Sequence, residues 1–166
     1  MKKERYIIAV YVDNQAGVLT RVSSMFTRRA FNIDALTVGE TESPAYSRIT
    51  ITVTADEYAK EQMLHQLRKL HNVKKVEVLD TDAIKRELML IKVKNTAATR
   101  SDILSAVDVF RAKVIDYTVD EMCIEITGES SKIDAFIKLM LPYGVLEMCR
   151  TGAVAMERGS VTLLSK

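Results

Sequence analysis

Apolar and polar residues follow two rhythms along this chain, and each change of rhythm marks an element. Arg5–Val12 (RYIIAVYV) is a nearly unbroken apolar run, as expected of a strand buried on both faces. From about Gly17 to Arg29 the period lengthens: Val18, Val22 and Met25 recur at helical spacing, with Leu19 and Phe26 beside them. Asn32–Glu40 reads as a second strand, and Ser43-Pro44 supplies a turn. Tyr46–Thr54 alternates cleanly, with Ile49, Ile51 and Val53 on one face and Arg48, Thr50 and Thr52 on the other. That pattern predicts a half-buried strand with its polar face in solvent. Asp56 then caps a helix carrying Ala59, Met63, Leu67 and Leu70 on one stripe, and Val73–Leu79 closes the set.

The order βαββαβ then repeats. Glu87–Val93 is a strand, and Ser101 or Asp102 starts a helix with Ile103, Val107 and Phe110. Lys113–Val119 and Glu121–Thr127 form a hairpin around Asp120. Ser130 or Ser131 opens a helix through Ile133, Phe136, Ile137, Met140 and Leu141, which Pro142 and Gly144 end. Val145–Met156 is the last strand. The pattern predicts an α+β fold of two tandem ferredoxin-like βαββαβ units, over residues 1–79 and 87–158, with a linker at 80–86 and a fraying tail at 159–166. The halves share element order and little residue identity. Each unit covers one face of its sheet, so the other face and the edges must be solvated or must pair with another subunit. The apolar first strand suits a sheet continued across a dimer.

Composition narrows the function. With 166 residues and 48% hydrophobic positions, the chain can build a core. Its 24 basic and 22 acidic residues are interleaved, which argues against a dedicated nucleic-acid surface. The strands lack the glycine–aromatic pattern of RNA-stacking domains. Cys123 and Cys149 lie far apart in apolar contexts and read as buried free thiols of a reducing cytoplasm. The start, MKKERYIIAVYVD, is too short in its apolar run for a signal peptide, and no stretch is long enough to cross a membrane.

Catalytic signatures are missing. His65 and His71 stand among charges and read as surface residues, with no metal role expected. No GxSxG, Walker A or GxGxxG string occurs, and no cysteine stands near a histidine. An acylphosphatase-like loop is the nearest enzymatic parallel, but Arg21 lies a full turn inside the first helix and points away from an anion at the loop. Of the eight methionines, Met25, Met63 and Met140 fall on the helix stripes and read as core filling, not as a cofactor box.

The segment DNQAGVL (Asp13–Leu19) is chemically the most suggestive. Gly17 stands at the start of the helix, where the N–H groups of Ala16, Gly17, Val18 and Leu19 attract a carboxylate. Asn14 and Asn32 each offer a donor and an acceptor, and Val18, Leu19 and Ile33 offer an apolar wall. An α-amino acid needs that combination. A plain turn at Asn14–Gly17 and a plain helix end at Asn32 explain the spacing equally well, and spacing alone leaves both readings open.

These residues also resemble a family. Asn14, Gly17-Val18-Leu19, Arg21, Phe26, Asn32-Ile33, Leu36-Thr37-Val38 and Ser47-Arg48 are similar to the N-terminal ACT domain of acetolactate synthase small subunits. The likeness continues through ELMLIKV, FRAKVID, KIDAFI and RTGAVAMERG, and so spans nearly the whole chain. It implies a regulatory subunit, not an enzyme, that activates a catalytic large subunit and confers feedback inhibition by valine or another branched-chain amino acid. Thiamine diphosphate, Mg and FAD are then expected on the large subunit and none on this chain. The resemblance also implies a homodimer through the ACT domains. Asn14 and the Ala16–Leu19 loop of one protomer then face Asn32 and Ile33 of its neighbour. Gln15 stands where many relatives carry an acid. A free-standing double-domain amino-acid sensor acting on another enzyme is the alternative.

Overall fold

The computed structural model describes residues 2–166. The chain runs β1 (Glu4–Asp13), α1 (Val18–Arg28), β2 (Ala35–Glu40), β3 (Tyr46–Ala55), α2 (Glu57–Arg68) and β4 (Val73–Val78). It then repeats as β5 (Ile84–Lys94), α3 (Arg100–Val109), β6 (Lys113–Tyr117), β7 (Glu121–Gly128), α4 (Ser130–Met140) and β8 (Val145–Arg150), followed by the short β9 (Val154–Met156). Both repeats are ferredoxin-like: antiparallel sheets ordered β2-β3-β1-β4 and β6-β7-β5-β8, each with two helices packed on it. Among the described residues, no helix is long and apolar enough to cross a membrane.

Two compact units result. The first comprises residues 1–85 together with 152–166, and the second comprises residues 86–151. In the first, Ile8, Val10 and Val12 of β1 and Ile49, Ile51 and Val53 of β3 meet Val22, Met25 and Phe26 of α1 and Met63 and Leu67 of α2. In the second, Met89, Ile91 and Val93 of β5 and Met122, Ile124 and Ile126 of β7 meet Ile103 and Val107 of α3 and Ile133, Phe136 and Met140 of α4. Alternate strand positions thus share a face, and the helix stripes cover it.

The first helix of each repeat ends in the same way. Ala30 (φ 56°) and Arg111 (φ 51°) adopt the left-handed conformation usual for glycine. Phe31 donates to the Phe26 carbonyl and Ala30 to Thr27, and Ala112 donates to Val107 and Arg111 to Asp108. These crossed bonds satisfy carbonyls that the helix end would leave open.

Several expectations change. The last strand is not continuous, because it breaks between β8 and β9, where the chain passes from the second unit back to the first. Residues 152–158 therefore pack with the first unit, and residues 159–166 do not fray: Leu163 is 7% exposed and packs with Ala9, Tyr11, Leu79, Ala83 and Ala155. The expected linker is partly structured too, with Ala83 buried and β5 beginning at Ile84.

For the same reason the polar face of β3 is not solvated. Thr50 and Thr52 are 4% and 1% exposed, and Arg48 donates from Nη2 to the Ala155 carbonyl at 2.6 Å. Burial draws the Arg48 pKa down from its ordinary value, and Glu157 nearby opposes that shift. A Cβ on Gly152 would lie 2.7 Å from Thr37 Oγ1 and 3.2 Å from the Leu36 nitrogen, so this close approach to β2 requires glycine. The returning segment is also latched by charge. The buried Glu157 carboxylate accepts from the Asp80 N–H at 3.1 Å and from Lys166 Nζ at 2.6 Å.

In the second unit, Glu87 is buried and receives Arg150 Nε at 2.6 Å, while Arg150 Nη1 reaches Asp134 at 2.8 Å. Burial lowers the Arg150 pKa, but Glu87 and Asp134 more than offset this and hold it above its ordinary value. The two cysteines are less buried than expected, Cys123 partly exposed and Cys149 exposed, and both are free thiols. Cys123 pairs with Lys92 and Cys149 with Leu90. These partners alternate with the core residues Met89, Ile91 and Val93 of β5, so both thiols lie on the side of the sheet away from the helices.

Candidate functional site

The loop between β1 and α1 is fixed by its own chain. Gly17 caps the helix at φ 84° with no side-chain cap, a conformation that glycine adopts without strain. Among the described residues, the N–H groups of Ala16, Gly17 and Leu19 have no backbone partner, whereas Val18 N–H donates to the Gln15 carbonyl at 3.3 Å. Unpartnered donors at the positive end of a helix dipole favour an anion. Ala16, Gly17 and Leu19 are exposed, Leu19 at 42%.

Val18 differs from expectation. Its side chain is 5% exposed and belongs to the first core, so it anchors the helix and is unavailable as a ligand wall. Its N–H is not among the open donors either. The helical period explains this: Val18 and Val22 share the inward stripe, and Leu19 is turned out.

Asn14 is held on three sides. Its Nδ2 donates to Glu40 Oε1 at 3.0 Å and to the Pro44 carbonyl at 2.9 Å, and its Oδ1 accepts from Ser47 Oγ at 3.0 Å. Its backbone N–H donates to the Ala45 carbonyl at 2.8 Å. Both side-chain donors are thus in use, and Asn14 ties the loop to the β2–β3 hairpin. Glu40 is inconspicuous in the sequence, and Ser47 stands out there only as part of the resemblance. They meet Asn14 because they pair with each other across the register of β2 and β3.

Asn32 and Ile33 lie elsewhere in the unit. Asn32 Nδ2 donates to Asp34 Oδ1 at 2.9 Å, and Asp34 Oδ2 accepts from Thr54 Oγ1 at 2.6 Å. Ile33 is partly buried against the core. Asn14 stands at the Glu40↔Ser47 end of the β2–β3 pair and Asn32 just beyond the Ala35↔Thr52 end. At strand rise those pairs are about 17 Å apart. Within one chain the structure therefore does not bring Asn14 and Asn32 together.

Arg21 does not face the loop's open N–H groups. Its Nη1 is 2.9 Å from His71 Nε2 and donates to Asn72 Oδ1 at 2.5 Å, which ties α1 to the turn before β4. His71 thus has a structural partner, while His65 is exposed on α2. Asp13 is neutralised by Lys74 at 3.1 Å and accepts from Asn72 at 3.3 Å.

Comparison with known proteins covers both units. Residues 8–75 match the AHAS small subunit-like ACT domain, and residues 86–159 match the family described as small subunit of acetolactate synthase. A probable acetolactate synthase small subunit of Methanothermobacter thermautotrophicus is 43% identical over 98% of each chain. The acetolactate synthase small subunit of Mycobacterium leprae is 45% identical over 93% of this chain and 92% of its own. The crystal structure of the acetolactate synthase small subunit from Thermotoga maritima superposes with a TM-score of 0.87 at 40% identity, covering 95% of this chain and 99% of that one.

Proposed function

The chain belongs to the acetolactate synthase small-subunit family, and from that premise we propose that it is a cytoplasmic regulatory subunit acting on a catalytic large subunit. In this reading the large subunit carries thiamine diphosphate, Mg and FAD and performs the condensation. This chain raises its activity and confers feedback inhibition by valine or another branched-chain amino acid. The effector's carboxylate lies against the N–H groups of Ala16, Gly17 and Leu19, and Leu19 contacts its side chain.

What supports the effector reading is that the Asn14–Leu19 loop and the Asn32-Ile33 pair lie at opposite ends of β2. This strand forms one edge of its sheet and exposes Val38 at 43%. Pairing two such edges antiparallel about a two-fold axis sets the Glu40 end of one strand beside the Ala35 end of the other. Asn14 and the Ala16–Leu19 loop of one protomer then approach Asn32 and Ile33 of its partner. The homodimer closes two equivalent sites and covers two exposed edges at once.

Co-purification with the catalytic subunit, followed by acetolactate assays, tests the proposal. Activity should rise when this chain is added and fall when valine, leucine or isoleucine is then titrated in. An unchanged rate on adding the chain would remove the regulatory reading. A monomer in sedimentation at low micromolar concentration, with and without valine, would remove the two-protomer site.

A further inference from the structure

We propose that the groove between the end of α2 and β4 is a docking surface for an acidic protein segment, whose carboxylates pair with Arg68 and Lys69. In the regulatory reading above, on which this inference rests, the catalytic large subunit supplies that segment.

Basic and acidic residues interleave along most of the chain, but residues 62–76 hold Arg68, Lys69, Lys74 and Lys75 and no acid. The fold gathers these cations beside a recess of about 260 Å³, lined by Arg68, Val73, Lys74, Lys75, Val76 and Glu77. Arg21 joins the same side of the unit through its bonds to His71 and Asn72. Lys74 is balanced by Asp13 and Lys75 by Glu77, each at 3.1 Å. Among the described residues, Arg21, Arg68 and Lys69 have no carboxylate within ion-pair distance, and all three are exposed. Arg68 donates to the Val76 carbonyl at 3.4 Å, which leaves most of its N–H donors open. The dipole of α2 accounts for a cation in its last turn, but not for a recess with a surplus of positive charge beside it.

Charge complementarity identifies the occupant as acidic, and two features make it a set of protein side chains. β4 is an edge strand, but its Val76 and Val78 carbonyls are taken by Arg68 and by Lys166 Nζ at 3.3 Å. Capping of this kind closes the edge to an added strand. Residues 62–76 contain no Phe, Tyr or Trp on which a nucleic-acid base could stack. The groove lies at the β4 edge, whereas the homodimer proposed above pairs through β2 at the opposite edge of the sheet. The surface therefore stays free when the homodimer forms.

Arg68→Glu combined with Lys69→Glu reverses the unpaired charge at an exposed surface. Lys138→Glu is the matched control, because Lys138 is exposed on α4, which holds the place in the second unit that α2 holds in the first. Sedimentation with the catalytic large subunit measures association at low and at high salt. The double variant is expected to associate roughly tenfold more weakly at low salt, with the difference shrinking as salt screens the charges. Its homodimer and its valine affinity should match wild type, and Lys138→Glu should associate as wild type does. Undiminished association of the double variant, or equal weakening by Lys138→Glu, would overturn the inference while leaving the regulatory reading intact. Wild-type binding to duplex DNA that the double variant loses would also overturn it, by giving the surface to nucleic acid. A wild-type chain that neither associates with the large subunit nor alters its activity would overturn the regulatory reading and the inference with it.

Discussion

Arg48 and Ala155, separated by 107 positions in the sequence, are joined by a 2.6 Å hydrogen bond from the guanidinium to the carbonyl. The bond is half-buried and crosses the face of β3 that carries Thr50 and Thr52. It secures the returning segment to the sheet at one point, and Gly152 secures it at another.

Breaking either point should loosen that segment. A hydrogen bond to a charged group is worth roughly 1.5–3 kcal/mol, so Arg48→Met should raise the population of the undocked segment by about tenfold or more. Gly152→Val should act in the same direction, because its side chain meets the Leu36 backbone. Arg158 lies within the segment and is exposed, so the rate of tryptic cleavage after it reports the undocked population. Rates equal to wild type in both variants would contradict this account of the docking.

Gly17→Asp should abolish effector inhibition while sparing the fold. Nothing stands within 4 Å of a Cβ at Gly17, so no clash follows, and φ 84° costs an L-residue roughly 1–2 kcal/mol. The new carboxylate occupies the N–H groups proposed for the ligand and repels it. Valine affinity should fall at least tenfold, with binding to the catalytic subunit retained. Calorimetry on the folded variant showing undiminished valine binding would mean that the loop is only a turn.

The ion pair of the second unit should matter more than a surface one. Arg150→Met strips the buried Glu87 of its guanidinium, which should cost about 3 kcal/mol. Urea denaturation followed through the second unit would show a lower midpoint with an unchanged slope. A shift below about 1 kcal/mol would place the pair among exposed bridges of little consequence.

Lys166 gives the docking a dependence on pH. Its folded pKa is raised, first by the hydrogen bond to Glu157 and then by that to Asp80. A raised folded pKa means a contribution fully present below the ordinary lysine value of about 10.4 and lost as pH rises through the folded value. The stability difference between wild type and Lys166→Met should therefore be constant from pH 7 to 9 and shrink above about pH 10.4. Denaturant titrations of both proteins across that range test it, and a difference that grows with pH would reverse the assignment.

Much of the fold can be read in the sequence because it is written in local periods. The stripes through Val22–Phe26 and Ile133–Met140, and the alternation of Ile49, Ile51 and Val53, each need only their own segment to be recognised. The loop was readable for the same reason, since Gly17 and the run before Val18 are contiguous. What escaped depends on residues distant in sequence. Thr50 and Thr52 carry a solvent-facing pattern, yet they are buried on the side of the sheet to which Arg48 ties Ala155. Glu40 became relevant only through its register opposite Ser47 and beside Asn14, and Ser47, known from the resemblance, takes its structural role there. Val18 looked like a wall residue until the helix phase turned it inward.

The return of residues 152–166 to the first unit also sets an order of events during synthesis. Residues 1–85 leave the ribosome first, yet their sheet still lacks the partners that Ala155 and Leu163 supply to Ala9 and Tyr11. Until the whole of the second unit has been translated, that apolar face of the nascent chain stays uncovered. A stalled or truncated product ending near residue 150 would expose it permanently, which makes such fragments natural clients of chaperones and proteases.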